Sequence, residues 1–313
     1  MEKYMATKSQ PAGSSRAPAW LALCGAGFAL ALTALNPLLE SHVGEQLGTF
    51  LSETGKYLAF ATGFFLLFWV ILARPMRNRK LSRKSWPKNG QMVREALFSV
   101  CTQFTFLGVD LWIAYLVPAS KNNSYTQISE YGWLYYAAVL FAVFVVHDAY
   151  FYWMHRIAHH PKLYAWIHRI HHESTDPTPY SAFHFHPFEA VLEGLASASI
   201  LIVLLTVPWH VSIPVVWGLG MLAFNVIGHL GYEIYPSFWH RIPLLKWKTT
   251  GLHHYMHHQM VRGNYALYFR WWDKLCGTEF KDFETRYDAI FTRGSTACSP
   301  RPSAVVEGTP ARD

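Results

Sequence analysis

Long segments without a charged side chain constrain this sequence more than any other feature. Residues 17–39, 57–73 and 131–146 contain no charged residue, and residues 96–117 contain only Asp110. The hydrocarbon core of a bilayer is about 30 Å thick, and about 20 helical residues cross it. The sequence therefore predicts four membrane-spanning helices. Charged residues make up only 15% of the 313 residues, below the roughly 25% of an ordinary soluble domain.

Two further apolar segments, at residues 194–209 and 211–228, are separated by a turn that contains Pro208. Because polar, histidine-rich sequence lies on both sides of this pair, we expect a hairpin that dips into the membrane from the cytoplasmic face. The predicted fold is an all-α integral membrane bundle of about four spans plus this hairpin. The histidine-rich sequence forms a cytoplasmic cap that binds metal, for the reasons given below.

The formal net charge of +7 is unevenly distributed. Eight Lys and Arg residues and no acidic residue lie between Arg74 and Arg94, whereas Glu40, Glu45 and Glu53 precede the second span. The positive-inside rule predicts that the basic loop is cytoplasmic and that the three glutamates lie in an external turn. The basic loop is also suited to anionic lipid head groups. A nucleic acid partner is not expected, because its binding requires basic residues spread over a structured face with interleaved aromatic residues.

The histidines are concentrated in one part of the chain. Nearly all of the 17 histidines lie between His147 and His258, and most fall in short clusters at helical spacing. In the first cluster His155 and His159 are four residues apart, so their rings point the same way from one helix. The pattern predicts that imidazole rings converge at the end of a membrane span.

Two later clusters each predict three rings on one helical face, because their members follow an i, i+3, i+4 pattern. They are His168, His171 and His172, and then His254, His257 and His258. Between these clusters His229 precedes Glu233 by four residues. Burying this many polar rings without partners would cost about 1–3 kcal/mol each, and a metal ion removes that cost by accepting the ring lone pairs.

The residues alone leave the metal open, because imidazole binds iron, copper, zinc and nickel. At least nine candidate ligands are enough for two ions with four or five ligands each. His172-Glu173 is not part of an HExxH motif, which disfavours a zinc metalloprotease. The four cysteines lie far apart without CxxC spacing, so neither an iron–sulfur site nor a disulfide framework is expected.

The order and spacing of these clusters resemble the fatty acid hydroxylase superfamily, in particular its sterol desaturase-type members. The resemblance covers about residues 130–285 and rests on the HX3H and the two HX2HH motifs. It implies a di-iron centre that uses O2 to hydroxylate or desaturate a lipid. Carried over by position, the implied metal-binding and catalytic residues are His155, His159, His168, His171, His172, His229, His254, His257 and His258.

One position departs from the family pattern. Some members have a second histidine four residues after the one that matches His229, and this chain has Glu233 there. Either Glu233 is a carboxylate ligand, or His253 or His186 completes the site. Acidic side chains near the clusters are candidates to hold the ring orientations. These candidates are Asp148, Asp176 and Glu189. Aromatic residues that could line a lipid slot are Tyr150, Tyr152, Trp153, Trp166, Trp271 and Trp272.

Composition and the resemblance together divide the chain, and the resemblance implies its partners. We expect a polar tail at 1–18, a transmembrane region at 19–128, a catalytic domain at 129–290 and a disordered tail at 291–313. Electrons would come from a separate ferredoxin or a cytochrome with its reductase. The location would be a bacterial inner membrane or the endoplasmic reticulum, with the histidine site on the cytoplasmic side. If the protein is in the endoplasmic reticulum, Asn122-Asn-Ser would lie on a lumenal loop.

The sequence leaves several points open. The sequence does not decide among sterol, fatty acyl, sphingoid and polar lipid substrates. It also does not decide between hydroxylation and desaturation. Two alternatives belong to other classes, a membrane metal transporter or metal-binding protein and a zinc-dependent membrane hydrolase. A transporter would place its histidines along the spans rather than after them, and a zinc hydrolase would work without O2.

Overall fold

The computed structural model describes residues 43–82, 86–117 and 122–292. The predicted first span at 17–39, the N-terminal tail and nearly all of the C-terminal tail lie outside these residues. Residues 50–313 belong to one compact unit, and 1–49 to another, of which only the first turns of one helix are described.

The regular secondary structure of the described chain is helical apart from two strands of two residues each, which confirms the all-α prediction. The longer elements are α1 (Val43–Phe65, continued as a π-helix over Leu66–Ile71), α2 (Asn89–Leu116), β1 (Ser124–Tyr125), α3 (Gly132–Ala158), α4 (Tyr164–Ile167), α5 (Arg169–His172), α6 (Pro187–Ala198), α7 (Leu201–Leu204), β2 (Trp209–His210), α8 (Ile213–Gly228), α9 (Gly251–Met260), α10 (Trp271–Leu275) and α11 (Phe283–Thr292). Short 3-10 turns lie at Arg77–Arg79, Ile128–Glu130, Pro179–Ser181, Trp239–Arg241 and Leu245–Trp247.

Four stretches of the described chain are helical and apolar over a length that can cross a membrane. They are Gln46–Ile71, Asn89–Leu116, Gly132–Ala158 and Pro187–Leu204, and α8 is a shorter apolar helix. Large apolar side chains on their surfaces are exposed, such as Leu97, Phe141 and Ile202. Exposed apolar surface on this scale is suited to lipid rather than water.

The second predicted span begins earlier than the sequence indicates. Residues 43–56, expected as a polar turn, already belong to α1, so that expectation was wrong for the described glutamates. Glu53 and Lys56 form an ion pair of 2.6 Å on the helix surface. Charges three residues apart lie on the same face of a helix, so the helix accommodates both of them.

The predicted hairpin corresponds to α6, α7 and α8. It extends to the opposite end of the bundle instead of dipping part of the way into the membrane. Its turn contains β2, which pairs in parallel with β1, and the Tyr135 hydroxyl donates to the Pro208 carbonyl at 2.9 Å. Tyr135 precedes His155 on α3 by 20 residues, or about 30 Å of helix, which is the thickness of a bilayer core. The hairpin turn therefore lies at the opposite end of the bundle from His155.

Close packing of α2 against α6 holds the first arm of this hairpin. A Cβ atom at Gly194 would lie only 3.1 Å from the Val109 side chain. Small residues allow helices to approach closely inside a membrane, where the hydrophobic effect does not drive helix association. Glycine at this position therefore allows α2 and α6 to pack closely. We call the end of the bundle that carries His155 the histidine end.

Polar side chains of α1 and α2 fasten the chain at the histidine end. The buried carboxylate of Glu95 accepts hydrogen bonds from Ser174 at 2.7 Å and from Thr178 at 2.5 Å. A buried carboxylate is stable only when its oxygens have donors. These bonds fix the segment that follows α5. Two similar contacts are Tyr57 to the Tyr180 carbonyl at 2.7 Å and Trp69 to the Leu230 carbonyl at 2.8 Å.

Candidate metal centre

Four separate parts of the chain bring histidines to the histidine end. The last turn of α3 carries His155, and His159 is the residue at which this helix ends. The second cluster lies on and just before α5, and the third lies on α9, where the Thr250 side chain caps the helix by accepting the His253 N–H. His229 is the residue at which α8 ends. Elements far apart in sequence therefore converge on one place.

The converging rings form two groups, which we name by their size. The five-histidine group contains His155, His159, His168, His172 and His257. The four-histidine group contains His171, His229, His254 and His258. Within each group one donor atom from every residue lies within 4.8 Å of the others. Only His159 is partly exposed, and the other eight residues are buried.

This grouping divides the three rings that each HX2HH cluster was expected to place on one helical face. In the second cluster His171 belongs to one group while His168 and His172 belong to the other, and the third cluster divides in the same way. The reason is helical geometry, because consecutive residues project about 100° apart. His168 also lies just before α5, at its N-cap position, rather than on the helix itself. Each HX2HH cluster therefore contributes rings to both groups.

The ring nitrogens within each group lie unusually close to one another. The Nε2 atoms of His155 and His168 are 3.0 Å apart, and those of His159 and His172 are 3.2 Å apart. In the four-histidine group the Nε2 of His229 lies 3.1–3.3 Å from its three neighbours. Nitrogens bound at about 2.0–2.1 Å to one ion, with bond angles of about 90–110°, would lie about 2.8–3.4 Å apart. The spacing fits metal ions.

Hydrogen bonds to the outer nitrogens decide which ring atoms carry lone pairs. His155 Nδ1 donates to the Tyr265 carbonyl at 2.8 Å, and His168 Nδ1 donates to Glu189 Oε1. A neutral imidazole with a proton on Nδ1 has its lone pair on Nε2. When Glu189 is ionised it accepts the Nδ1 proton of His168, and the two Nε2 atoms that face each other at 3.0 Å then both present lone pairs, as two ligands of one cation do.

Two further rings are oriented by main-chain carbonyls. His257 Nδ1 donates to the Gly263 carbonyl and His229 Nδ1 to the Asn225 carbonyl, each at 2.8 Å. The Nε2 atom of His257 is buried and has no hydrogen-bond partner. A buried polar atom without a partner costs about 1–3 kcal/mol, and a metal ion would remove this cost. The residues present therefore fit a metal in each group.

Burial keeps these rings in the form that binds metal. It lowers the pKa of His229 to about 4, and burial together with the neighbouring histidines lowers the pKa of His172 to about 3. The pKa of His257 also falls well below its usual value for the same two reasons. Metal binding requires a neutral imidazole. The rings therefore need not lose a proton near neutral pH before a metal binds.

Among the acidic residues expected near the rings, the prediction is confirmed for Glu189, which bonds His168. Asp148 accepts instead from the Tyr268 N–H at 2.6 Å, and Asp176 accepts from the Tyr255 hydroxyl at 2.8 Å.

The structure brings none of the three proposed completing ligands into either group. The Glu233 carboxylate accepts backbone N–H groups from Tyr235 at 3.0 Å and from Leu252 at 2.9 Å. Leu252 is in the first turn of α9, so Glu233 supports a helix N-terminus that carries unpaired donors. His253 lies 3.4 Å from Asp273, and His186 caps α6 by accepting the Phe188 N–H.

Known proteins are similar to most of this chain. Methylsterol monooxygenase 1 of Rattus norvegicus is 35% identical over 247 residues, which are 77% of this chain and 80% of that protein. A putative methylsterol monooxygenase of Dictyostelium discoideum is 33% identical and covers 79% of this chain and 90% of its own length. The sequence profile of the fatty acid hydroxylase family matches residues 140–278. The chain belongs to the fatty acid hydroxylase family.

A third member of the family differs in the reaction that its name describes. A Delta(7)-sterol 5(6)-desaturase of Gibberella zeae is 31% identical over 163 residues, which are 49% of this chain and 45% of that protein. No solved structure matches the chain. Family membership, together with the four apolar helices of the described chain, makes this a membrane protein.

A cleft of about 590 Å³ opens next to His159, the one partly exposed residue of the nine grouped histidines. Trp153, one of the residues predicted to line a lipid slot, contributes to its wall. The full lining is Trp153, Arg156, Ile157, His159, His160, Leu163 and Tyr265. Volumes of about 300–1,000 Å³ are typical of sites for small ligands. The cleft connects the five-histidine group with the surface of a candidate span.

Sequence reasoning missed the part of the chain that orients two of the rings. The turn at residues 261–265 supplies the carbonyls of Gly263 and Tyr265. Its one signal in the sequence is the dipeptide Gly263-Asn264 shortly after the last histidine, because both residue types favour turns with positive φ. The same turn is held by Asp273, which the histidine spacing did not indicate.

Proposed function

We propose that this protein is a membrane-bound di-iron enzyme that uses O2 to hydroxylate or desaturate a lipid. The observation that carries the proposal is the convergence of the nine rings in two groups, within which the Nε2 atoms of His155 and His168 are 3.0 Å apart. The names of the relatives, methylsterol monooxygenase and sterol desaturase, support an oxygen-dependent reaction on a sterol-like substrate. Because the relatives that cover most of the chain are monooxygenases, hydroxylation is the first expectation and desaturation the second.

In this proposal the nine histidines hold two iron ions, one in each group. Five and four neutral nitrogen donors satisfy the preference of iron for imidazole and leave coordination positions open. Glu233 is not a ligand in this assignment, because its oxygens are used by backbone donors. Bound iron supplies the activation of O2 and the removal of hydrogen from an unactivated C–H bond.

The protein's own residues would hold the substrate and keep the site dry. The lipid would enter the cleft beside His159 along α3, where Trp153 and Ile157 are exposed on the helix surface. Leu163 and Tyr265 add apolar walls, while Arg156 lies at the charged rim. Burial of the other eight histidines excludes water from the reacting atoms, which protects a strong oxidant from side reactions. A sterol or another lipid of similar length suits an opening that faces the bilayer.

The histidine end would face the cytoplasm, where an electron-transfer partner can reach it. The basic segment after α1 lies at this end, because the Glu233 N–H donates to the Arg79 carbonyl at 2.9 Å. A cluster of basic residues next to a span favours the cytoplasmic side. A separate ferredoxin or cytochrome with its reductase would deliver electrons, in a bacterial inner membrane or the endoplasmic reticulum.

Lipid mass spectrometry under 18O2, in cells with and without the protein, tests the proposal. A product heavier by one labelled oxygen indicates a hydroxylase, and a product lighter by two hydrogens indicates a desaturase. Purified protein should contain two iron ions per chain. His171→Ala should lose iron from the four-histidine group and lose activity with it. His210→Ala is the matched control, because His210 lies in β2 at the opposite end of the bundle.

Three results would contradict the proposal. Turnover without O2 would indicate a hydrolase, and metal uptake into vesicles without any lipid product would indicate a transporter. Normal iron content and turnover in His171→Ala would show that the histidine groups are not the metal site.

A further inference from the structure

The turn after α9 connects the five-histidine group to a part of the chain outside the histidine clusters. Its backbone is unusual, with φ of 64° at Val261, 117° at Gly263 and 55° at Asn264. Non-glycine residues seldom adopt positive φ, and such conformations persist only where surrounding contacts enforce them. The turn directs two carbonyls at two rings: Gly263 at His257 and Tyr265 at His155.

A buried carboxylate holds this turn in place. Asp273, on α10, is fully buried and accepts the Tyr265 N–H at 2.8 Å and the Ala266 N–H at 2.9 Å. The Thr278 hydroxyl donates to the same carboxylate at 2.7 Å. Burial alone would raise the pKa of Asp273, but contact with His253 and the hydrogen bonds from Thr278 and Ala266 hold this pKa below its usual value.

Main-chain contacts strengthen the same connection. The Asn264 N–H donates to the Thr278 carbonyl at 2.9 Å, and the Asn264 side chain donates to the His253 carbonyl at 2.9 Å. The Asn264 side-chain oxygen also accepts the Phe280 N–H at 3.0 Å. The turn is therefore tied on one side to α9 and on the other to the segment that follows α10.

We propose that Asp273 is a positioning residue for the metal bound by the five-histidine group. It fixes the backbone at Tyr265 and Ala266, and the Tyr265 carbonyl then fixes the ring of His155. The proposal rests on the metal site proposed above, but it concerns only one of the two groups. In the four-histidine group the Asn225 carbonyl on α8 orients His229, and within the described chain no hydrogen bond joins residues 261–266 to the four rings. Loss of Asp273 should therefore weaken one metal site and spare the other.

Metal affinity measured site by site in the purified full-length protein tests this selectivity. Outer partners of metal-binding histidines are typically worth about 10–100-fold in metal affinity. Asp273→Ala should weaken one of the two Fe2+ sites by about that factor and leave the other unchanged. Asp273→Asn keeps one carbonyl oxygen as an acceptor, so its weakening should be smaller. Titration of Co2+ into the metal-free protein adds an absorption spectrum that reports the geometry of each site.

Two further variants separate positioning from a general loss of folding. Thr278→Val removes the hydroxyl that donates to Asp273 but keeps the carbonyl that receives Asn264, so it should weaken the same site without unfolding the protein. Glu95→Gln is the matched control, because Glu95 is also a fully buried carboxylate with three side-chain donors. It should lower the melting temperature and leave both sites unchanged.

The outcomes distinguish this inference from the proposed function. If the wild type binds fewer than two Fe2+ ions, the di-iron proposal is wrong, and the Co2+ titration still tests Asp273 on the five-histidine group. The inference itself is overturned if the Asp273 and Thr278 variants bind both ions as the wild type does. It is also overturned if they weaken both sites equally, or if Glu95→Gln weakens the same site. If Asp273→Ala does not fold, Asp273→Asn and Thr278→Val decide the question.

Discussion

The hydrogen bond between Glu189 and His168 allows a prediction of metal affinity from geometry. Glu189 lies in the first turn of α6, is buried, and accepts the Nδ1 proton of His168. This bond directs the Nε2 lone pair of His168 at the five-histidine group, 3.0 Å from His155 Nε2. We expect Glu189→Leu to remove the acceptor, while a side chain of similar size fills the space.

The size of the effect follows from the burial of this pair. Without Glu189 the Nδ1 proton of His168 is left buried and unpaired when the ring is held by metal, at a cost of about 1–3 kcal/mol. At about 1.4 kcal/mol per factor of ten, that cost lowers affinity by roughly 5- to 150-fold. Glu189→Gln retains a neutral acceptor, and charge-assisted bonds are about twice as strong as neutral ones. We therefore expect the metal affinity of Glu189→Gln to fall only about 2- to 10-fold.

Competition for Fe2+ against a chelator of known affinity measures this effect in purified protein. Glu193→Gln is the control, because Glu193 lies one turn further along α6 and no hydrogen bond joins it to the nine histidines in the described chain. We expect it to bind both ions as the wild type does. The reasoning is refuted if Glu189→Leu stays within twofold of the wild type, or if the four-histidine group is the one that weakens.

Four more predictions concern Glu233, Gly263 and the bound iron. Glu233→Gln should retain both iron ions, since the carboxylate supports α9 rather than a metal; loss of one ion by elemental analysis would restore Glu233 as a ligand. Burial raises the pKa of Glu233 to about 7, so its charged form is unfavourable in the folded state. Stability should fall as pH rises from about 4.5 through 7, and the melting temperature of Glu233→Gln should fall less over that range. Gly263→Ala should lower both the melting temperature and the iron content of the five-histidine group, because φ is 117° and the added Cβ would lie 2.6 Å from the Thr278 carbonyl. An unchanged melting temperature and iron content would contradict the expected backbone strain. Removing iron with a chelator should lower the melting temperature, since ligand at 100 times its Kd contributes about 2.7 kcal/mol per site. If the metal-free protein had the same melting temperature as the metal-bound protein, iron would not contribute to holding the helices of the site together.

The spans and the convergence of the rings could be predicted from the sequence because both depend on local patterns. Uncharged segments of about 20 residues predict helices in a membrane, and three of the four predicted spans lie wholly within the described residues. The start of α1 was missed because Glu53 and Lys56 resemble turn residues until their pairing across one helical turn is known. Charge alone does not distinguish a polar loop from an exposed helix face.

The division of the rings into two groups could not be predicted from spacing. An i, i+3, i+4 pattern indicates a common face, but it does not decide which of two neighbouring groups each ring joins. That choice depends on how α5 and α9 lie against α3 and α8, which is a tertiary property. The role of Glu233 could not be predicted for a similar reason, because its position after His229 suggested a ligand while its oxygens accept the N–H groups of Tyr235 and Leu252.

Main-chain carbonyls orient His155, His229 and His257, and this has a practical consequence for experiments that map the centre by substitution. Changing Tyr265 or Asn225 to alanine deletes a side chain and leaves the peptide oxygen where it was. Residue-by-residue scanning will therefore underestimate how much of the centre is made of backbone. Replacing single peptide bonds by esters one residue further along would reduce the strength of those acceptors, and such chemistry reaches a layer of the site that mutagenesis cannot.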